Sequence, residues 1–492
     1  MTPSPGRDRT WTGRRICVTG LGLSGAAAAR ALLGFGAAVT VVDAARTDAA
    51  DARAAELRSL GARVLLGPDQ VTTTPAGTEL VVTSPGWRPD QPLLVRAAAA
   101  GIPVWGEVEL AWRLRPLGAA PWLAVTGTNG KTTTVRMLAA ILAAAGRRTI
   151  AAGNVGVPLV DAVLAEPPYD VLAVELSSFQ LHWTRSVRPL AAAILNVADD
   201  HRDWHGSFEA YAAAKQRIWG EPADADRVRV GIGNADDAVT ATLLNASPAG
   251  RAVSFTLSEP AVGQLGVVGG VLLDRGFTDT GRPAEPESGT VLASVPDVRP
   301  PGPHNVANAL AAAALARAYG VPASAVRDGL RAVVPDGHRN ALVAVADGVT
   351  YVDDSKATNP HAAMASLAGY QPVVWIAGGL LKDADVEQLV SASAPRLRAV
   401  VLIGRDKEPF RAALARHAPQ LTVVEAPVPE TGAVPGAQVM TAAVAAAAAL
   451  ARPGDTVLLA PAAASMDQFR DYADRGDAFA AAVRGLTPGG GG

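Results

Sequence analysis

TGTNGKTT, residues 126–133, decides the fold of the middle of the chain. It follows the apolar run PWLAVTG and precedes a helical pattern, so it predicts a strand, a glycine-rich turn and a helix. Gly127 and Gly130 let backbone N–H groups point at an anion, and the helix N-terminus adds partial positive charge. The usual G-x-x-x-x-G-K pattern has a glycine where this chain has Val125. We interpret the turn as a phosphate loop with a tighter entry; the alternative is an ordinary turn that contains GKT.

The residues that follow have the chemistry that a magnesium-bound triphosphate needs. Lys131 can reach the outer phosphates, and the Thr132 hydroxyl can bind Mg²⁺. Glu175 ends the apolar run DVLAVEL, where an ionised carboxylate is costly unless it is paired or bound to a metal. The next apolar run, ILNV, leads into a polar cluster of Asn196, Asp199, Asp200, His201, Asp203 and His205. Because ligands bind at the carboxyl ends of parallel strands, we favour a metal role for the cluster over a solvated loop.

A second glycine-rich turn, TGLGLSG, lies near the start of the chain. Gly20, Gly22 and Gly25 have G-x-G-x-x-G spacing between a strand and a helix, and VTVVD then ends in the acidic residue Asp43. This pattern is typical of dinucleotide binding, but a nucleotide sugar also carries a diphosphate. A dehydrogenase, a site for a UDP-linked substrate and a nucleotide-binding fold without a ligand therefore all remain open.

Composition excludes several classes of protein. The chain has 492 residues, of which 49% are hydrophobic and 18% charged, so roughly three folded domains are expected. A net charge of −2 argues against a general nucleic-acid surface, and the single cysteine, Cys17, allows no disulfide within the chain. The first ten residues contain no apolar core of a signal peptide. The longest apolar run, Val439 to Ala451, is too short to span a bilayer and predicts a buried helix.

Apolar runs alternate with alanine-rich helical stretches, which indicates an α/β fold with parallel sheets. Three blocks separate: residues 1–109, 110–335 and 336–492. In the second block, the Gly- and Pro-rich stretch from about 257 to 303 predicts short strands and loops.

Six segments, taken in order, resemble the signatures of the Mur ligases, the ATP-dependent amino-acid-adding enzymes of peptidoglycan synthesis. They are GTNGKTT, GNVG, ELSSFQL, LNVADDHRDWHGS, HNVANALAA and DDSKATNP. The resemblance implies an N-terminal Rossmann-like domain for a UDP substrate, a central P-loop-type ATPase domain and a C-terminal Rossmann-like domain for the incoming amino acid. The GLGLSG turn, the DDSKATN segment and the ending PAAASMDQF are most similar to the member that joins D-glutamate to UDP-N-acetylmuramoyl-L-alanine.

The resemblance also implies a use of ATP with Mg²⁺, two ions being expected. The catalytic residues would be Lys131, Asn154, His201 and Lys215. The metal ligands would be Thr132, Glu175, His201 and Lys215, with Lys215 modified to a carbamate; without the resemblance, Lys215 reads as an exposed helix lysine. ATP would be held by Gly127, Thr128, Asn129, Gly130, Lys131, Thr132, Thr133, Asn305, Asn308, Arg339, Asp354 and Lys356.

The same resemblance assigns the other two substrates. The UDP-sugar would contact Leu23, Ser24, Asp43, Ser84 and Gly86, and its muramoyl-alanine end would contact Asn154. D-glutamate would be held by Thr358, Lys382, Ser465 and Tyr472. It further implies a cytoplasmic monomer that neither binds nucleic acid nor inserts into a membrane.

This chain departs from the family pattern in places. Ala44 and Ala45 follow Asp43 where Thr-Arg is frequent, and Arg46 is a candidate to replace that arginine. Ala463 stands where cysteine is frequent, and Tyr472 where phenylalanine is common.

Overall fold

The structure is a computed structural model, and it describes residues 11–45, 47–220, 228–277, 289–334, 337–381, 384–426 and 436–486. The chain forms two compact units, Met1–Asp297 with Ala307–Val333 and Val298–Val306 with Val334–Gly492. The described strands build three sheets, two in the first unit and one in the second. The domain boundaries expected after residues 109 and 335 stay predictions.

The N-terminal sheet is parallel and has the strand order β3-β2-β1-β4-β5. The order reverses beside β1, which opens a crevice at the carboxyl ends of β1 and β4. Its elements are β1 Arg15–Thr19, α1 Leu23–Gly34, β2 Ala38–Asp43, α2 Asp48–Ser59, β3 Arg63–Leu66, β4 Leu80–Thr83, α3 Pro92–Ala99, β5 Val104–Gly106 and α4 Glu107–Leu114.

The central sheet has the order β14-β13-β12-β11-β10-β9-β6-β8-β7. Its first elements are β6 Trp122–Thr126, α5 Lys131–Ala144, β7 Thr149–Gly153, α6 Leu159–Val163, β8 Val171–Glu175, α7 Ser178–His182, β9 Ala191–Ile194, α8 Arg202–His205 and α9 Phe208–Gln216. They are followed by β10 Val230–Asn234, α10 Ala238–Asn245, β11 Arg251–Phe255, β12 Gln264–Val268, β13 Val271–Asp274, β14 Thr290–Ser294, α11 Pro303–Ala318 and α12 Ala323–Ala332.

The third sheet has the order β15-β16-β20-β17-β18-β19. Its elements are β15 Ala341–Ala346, β16 Val349–Asp353, α13 Pro360–Leu367, β17 Val373–Gly378, α14 Glu387–Ser393, β18 Leu397–Ile403, α15 Glu408–His417, β19 Thr422–Glu425, α16 Gly436–Leu450, β20 Thr456–Leu459 and α17 Tyr472–Leu486.

The alternating pattern predicts parallel sheets, but the central and third sheets contain antiparallel pairs. Strand β13 is antiparallel to both β12 and β14, and β15 is antiparallel to β16. Two-residue turns explain two of these pairings: Gly269–Gly270 joins β12 to β13, and Asp347–Gly348 joins β15 to β16. All four residues have positive φ, the backbone that a tight hairpin turn requires and that Gly-Gly and Asp-Gly favour. The turn residues were therefore a signal that the sequence reading had missed.

Burial explains the continuous apolar runs. Along β17, Val373, Trp375 and Ala377 point into one core cluster, whereas Val374 and Ile376 point into another on the opposite face. A strand with helices on both faces buries every residue, so its sequence does not alternate. The run from Val439 is helical, as predicted, but α16 is buried on one face only: Val439, Met440, Ala443, Val444 and Ala447 are buried, whereas Thr441, Ala445 and Ala449 are exposed.

The stretch from about 257 to 303 forms β12 to β14 with their connections, as predicted, although residues 278–288 lie outside the described part. Among the helices that the structure describes, none has the length and apolarity needed to cross a bilayer.

Candidate functional site

Three neighbouring strands of the central sheet carry the predicted nucleotide and metal residues at one edge. Strands β9, β6 and β8 are adjacent and parallel, so their carboxyl ends lie side by side. The loop at residues 127–130 follows β6, Glu175 ends β8, and the segment with His201 follows β9. The fold therefore brings together residues that the chain separates by dozens of positions.

Asn196 bonds the backbone of the loop at residues 127–130 from both ends of its side-chain amide. Asn196 accepts from the Asn129 N–H through Oδ1 at 2.8 Å and donates from Nδ2 to the Asn129 carbonyl at 3.1 Å. Gly130, the N-cap residue just before α5, has φ +84°, and a Cβ there would lie 2.3 Å from Asn308 Oδ1. Helix α5 has no side-chain cap and no acidic residue in its first turn. Its N-terminal N–H groups can therefore bind an anion.

Two lysines converge on the first residue of this loop. Lys131 Nζ donates to the carbonyls of Gly127 and Thr128, each at 2.9 Å, and Lys215 Nζ donates to the Gly127 carbonyl at 2.8 Å. Lys215 is only 1% exposed. Burial, with the nearby Lys131 charge, holds the pKa of Lys215 well below its ordinary value. Lys215 is therefore a buried amine that is readily neutral, not the exposed helix lysine that the local sequence suggests.

Glu175 has the surroundings expected of a metal ligand. Its Oε1 accepts from Asn154 Nδ2 at 2.8 Å, and its backbone carbonyl accepts from the Asn154 N–H at 2.9 Å. Its buried Oε2 has no hydrogen-bond partner among the described residues. A buried carboxylate oxygen without a partner is costly, and Mg²⁺ prefers such oxygen ligands. This carboxylate therefore fits the magnesium that ATP would bring.

His201 is the residue that precedes α8, and it lies near Lys131 and Lys215. Its side chain is 44% exposed, and its Nε2 is 3.6 Å from Asp200 Oδ2. Partial burial lowers the pKa of His201, and the charges of Lys215 and Lys131 lower it further. In the described part of the chain, no three His, Cys, Asp or Glu side chains converge as a metal cluster. The expected ligand set therefore also needs Thr132, which is half-buried, and a modified Lys215.

Sequence reasoning missed Tyr211. Its hydroxyl is 3.0 Å from Thr128 Oγ1, and Lys215 Nζ lies 4.5 Å from the centroid of its ring. The tyrosine is 1% exposed, so it packs the buried lysine against the loop. The local helical pattern offers no signal for this role, because the contact joins residues 83 positions apart.

Two side chains hold the first glycine-rich turn by bonding the backbone N–H and the backbone carbonyl of Leu21. Its N–H donates to Asp43 Oδ2 at 2.6 Å, and its carbonyl accepts from Arg53 Nη1 at 3.1 Å. The other Asp43 oxygen accepts from the Ala45 N–H at 2.8 Å. Arg53 is thus a second residue that sequence reasoning missed, whereas Arg46 lies outside the described residues.

The predicted UDP-sugar residues surround this turn. Leu23 is exposed and Ser24 half-buried at the start of α1. Ser84 lies close to the turn: a Cβ on Gly20, whose φ is +89°, would be 2.7 Å from Ser84 Oγ. That Oγ is buried without a hydrogen-bond partner among the described residues, and Gly86 nearby is exposed.

A cavity of about 530 Å³ lies between the loop after β4 and helices α7 to α9. Its walls include Arg88, His182, Trp204, His205 and Arg217. Aromatic rings with a few polar groups are usual in small-molecule sites, and the volume suits a ligand of sugar size.

Several predicted residues of the second unit follow β16 or β20, namely Asp354, Lys356, Thr358 and Ser465, whereas Arg339 precedes β15 and Tyr472 begins α17. Asp354 is buried, accepts from the Asn340 N–H at 3.3 Å, and has its pKa raised to about 6 by burial. Lys356 Nζ lies 3.6 Å from the centroid of the Tyr472 ring. Thr358 and Arg339 are half-buried, and Ser465 is buried.

Two predicted residues of α11 and one lysine complete the set. Asn305 is buried, and its Nδ2 donates to the Pro301 carbonyl at 3.2 Å. Asn308 lies in the first unit against Gly130. Lys382 lies outside the described residues.

Comparison with known proteins matches the chain to three family models. The descriptions are Mur ligase MurD-like, N-terminal domain, over residues 14–106; Mur ligase middle domain, over 125–316; and Mur ligase, glutamate ligase domain, over 338–463.

Curated relatives match along nearly the whole chain. The UDP-N-acetylmuramoylalanine–D-glutamate ligase of Streptomyces avermitilis is 60% identical over 97% of this chain and 99% of its own length. The ligases of the same name from Thermobifida fusca and Mycobacterium avium are 58% and 50% identical, each over 96% of this chain, and 99% and 96% of their own lengths are covered.

Solved structures share the fold at low identity. The UDP-N-acetylmuramate-alanine ligase MurC of Thermotoga maritima has a TM-score of 0.54 at 19% identity and covers 96% of this chain and 100% of its own. A pseudomurein peptide ligase type C of Methanothermus fervidus has a TM-score of 0.56 at 17% identity, with the same coverage.

Proposed function

Because the chain belongs to the Mur ligase family, we infer that it is an ATP-dependent ligase that joins D-glutamate to UDP-N-acetylmuramoyl-L-alanine. Four relatives of 57 to 60% identity are named UDP-N-acetylmuramoylalanine–D-glutamate ligase, and the reaction belongs to peptidoglycan precursor synthesis. One structural observation carries the inference: Lys131 and Lys215 converge on the Gly127 carbonyl at a glycine-rich helix N-terminus.

The chemistry explains why this layout suits a ligase. A carboxylate is a poor acyl donor, and transfer of the γ-phosphoryl of ATP onto it creates an acyl phosphate. The amine of D-glutamate then attacks, the C–N bond forms, and the C–O bond to phosphate breaks. The protein must align the reactants and neutralise developing charge. Lys131 and the N–H groups at the start of α5 are the groups we assign to the γ-phosphate.

Bound Mg²⁺ would neutralise the negative charge of the phosphates. We assign Thr132, Glu175, His201 and Lys215 as ligands of two ions. The unpartnered Oε2 of Glu175 supports this assignment. Lys215 fits it as a carbamate, which forms when a neutral amine adds to CO₂, and its lowered pKa favours that amine. Asn154 orients Glu175 by its hydrogen bond, and we assign Asn154 to the muramoyl-alanine end of the substrate.

The two ends of the reaction are assigned to separate units. We place the uridine diphosphate on Leu23, Ser24 and Asp43, with the uracil near Ser84 and Gly86. The buried Ser84 Oγ without a partner among the described residues supports this placement.

The second unit is assigned two ligands. The incoming D-glutamate is assigned to Thr358, Lys382, Ser465 and Tyr472. The nucleotide is assigned to Asn305, Arg339, Asp354 and Lys356. Asn308, against Gly130, completes the nucleotide contacts. We propose a monomer that acts in the cytoplasm, where ATP and the UDP-sugar are made.

The test is product formation by the purified chain. Both the release of phosphate from ATP and the formation of the UDP-linked dipeptide should require UDP-N-acetylmuramoyl-L-alanine and D-glutamate. L-glutamate serves as the matched control, because it has the same charges with the opposite configuration. Phosphate release that ignores D-glutamate, or product with another amino acid at equal kcat/KM, would overturn the proposal.

A further inference from the structure

Arg475, in the first turn of α17, is a buried arginine with three backbone or hydroxyl acceptors. It is 1% exposed. Its Nε donates to Ser355 Oγ at 3.0 Å, its Nη2 to the Ser355 carbonyl at 2.8 Å, and its Nη1 to the Ala463 carbonyl at 3.0 Å. Burying a guanidinium without such partners is costly, and burial lowers the pKa of Arg475 to about 10. All three guanidinium nitrogens are thus hydrogen-bonded, two to Ser355 in the loop after β16 and one to Ala463 in the loop after β20.

The loop after β16 carries residues assigned to both ligands, because Thr358, assigned to D-glutamate, follows the nucleotide residues Asp354 and Lys356. The loop after β20 carries a further residue assigned to D-glutamate. Ser355 stands between Asp354 and Lys356, which we assign to the nucleotide, so this argument rests on the proposed function. Ala463 stands two residues before Ser465, which we assign to D-glutamate. Ser355 Oγ also donates to the carbonyl of Tyr472 at 2.7 Å. The Arg475 guanidinium therefore ties the loop of Ser355 to the loop of Ala463, and the Ser355 hydroxyl ties the first of these loops to Tyr472.

The same turn of α17 contacts a third functional segment. A Cβ on Gly476 would lie 2.1 Å from His338 Nδ1 and 2.7 Å from Asp353 Oδ2. His338 Nδ1 and Asp353 Oδ2 are themselves 2.6 Å apart. Since His338 precedes Arg339, the backbone that presents this arginine packs directly on the start of α17. The segments with Arg339, Asp354 and Ser465 thus meet at one helical turn.

We propose that Arg475 is a positioning residue that couples the ATP loop to the D-glutamate loop. Each loop is held in place through the other, so ordering of one by its ligand favours the binding-competent form of the other. Coupled sites typically change each other's affinity by about 5- to 150-fold. Arg475 contacts neither ligand in this proposal; it acts through Ser355 and Ala463.

The experiment compares Arg475→Lys and Arg475→Met with the unaltered enzyme in full kinetic analysis. Lysine keeps the charge but has one compact donor group on a flexible stem, so it cannot hold both loops. We expect KM for ATP and KM for D-glutamate to rise together, each by about tenfold. KM for the UDP-sugar, which we place in the other unit, should stay within twofold.

Arg484→Met is the matched control, because Arg484 is an exposed arginine in the last turn of the same helix. It should leave all three KM values unchanged. A merely structural role of Arg475 would lower the active fraction and hence kcat, but not the KM values of the molecules that remain folded. Arg475→Lys with either KM within twofold of the wild-type value would overturn the coupling. Failure of the proposed function is seen separately, as unaltered enzyme that makes no product.

Discussion

Single side chains set the electrostatics of the candidate site. Lys131 and Lys215 both contact the loop at residues 127–130, but Lys131 is half-buried and Lys215 is fully buried. Burial, with the neighbouring Lys131 charge, lowers the pKa of Lys215 well below its ordinary value, whereas Lys131 is the group that we assign to the γ-phosphate. Two neighbouring lysines thus take different roles because their burial differs.

Lys131→Ala should abolish ligation while leaving the UDP-sugar bound. Loss of a preorganised charge at the transferring phosphoryl group costs at least about 100-fold in kcat. The measurement is D-glutamate incorporation at saturating substrates, with UDP-sugar affinity by calorimetry as the control. Ligation within tenfold of the wild-type rate would contradict the role assigned to Lys131.

Asp354→Asn should stabilise the protein at neutral pH and impair its use of ATP. The pKa of the Asp354 carboxyl rises from 3.8 to about 6 on folding, because it is buried. Its contribution to stability is present in full below pH 3.8 and is lost as pH rises through about 6. At pH 7.5 this loss is on the order of 3 kcal/mol, and the neutral amide avoids it.

The thermal midpoints of Asp354→Asn and wild type should therefore differ at pH 7.5 and approach each other near pH 4. KM for ATP, measured alongside, should rise. A variant less stable than wild type at pH 7.5 would show that the partners of the carboxylate, among them the Asn340 N–H, outweigh the cost of burying its charge.

At the scale of elements, strand ends and tight turns place the site. Strand β8 ends at Glu175, and the next strand along the edge, β7, ends at Gly153 with φ +107°. A Cβ on Gly153 would lie 2.3 Å from the Glu175 carbonyl oxygen. The close approach lets Asn154 bond both the backbone and the side chain of Glu175. The strand pair, not the loop alone, thus orients the carboxylate.

Gly153→Ala should destabilise the protein more than Gly146→Ala. Both glycines have positive φ, but a Cβ on Gly146 meets nothing within 4 Å. Gly146→Ala should cost about 1–2 kcal/mol for its backbone conformation alone. Gly153→Ala adds a clash with rigid backbone and should cost roughly 3 kcal/mol or more.

Urea unfolding of both glycine variants measures this difference. We also expect a loss of activity for Gly153→Ala alone, because Glu175 must move. Equal destabilisation by the two substitutions would contradict the close approach at Gly153.

At the scale of the whole molecule, the chain divides into two compact units. We assign the UDP-sugar to the first unit and D-glutamate to the second, so each ligand should stabilise its own unit. Binding at 100 times the dissociation constant stabilises the bound unit by about 2.7 kcal/mol.

Scanning calorimetry should therefore resolve two transitions. UDP-N-acetylmuramoyl-L-alanine should raise the midpoint of one by a few degrees and leave the other in place, with UDP-glucose as a control for the sugar. A single transition that shifts as a whole would show that the two units unfold together.

The sequence by itself determined the class of fold and most of the candidate site. Glycine spacing, apolar runs and turn residues are local, so strand β6, the loop at 127–130 and helix α5 were predictable from their own letters. The Gly-Gly and Asp-Gly hairpins were equally local signals that the reading overlooked. Family motifs added the roles of residues such as Glu175 and Ser465.

Only the tertiary structure decided which side chains are buried and what they touch. Lys215 meets Gly127 across 88 positions, and Arg475 meets Ser355 across 120. Burial and charge depend on the packing of segments that lie far apart in the chain, which no local pattern encodes. The lowered pKa of Lys215 at the loop 127–130 and the burial of Arg475 between two loops are therefore properties of the fold, because desolvation exists only once the chain has closed around these side chains.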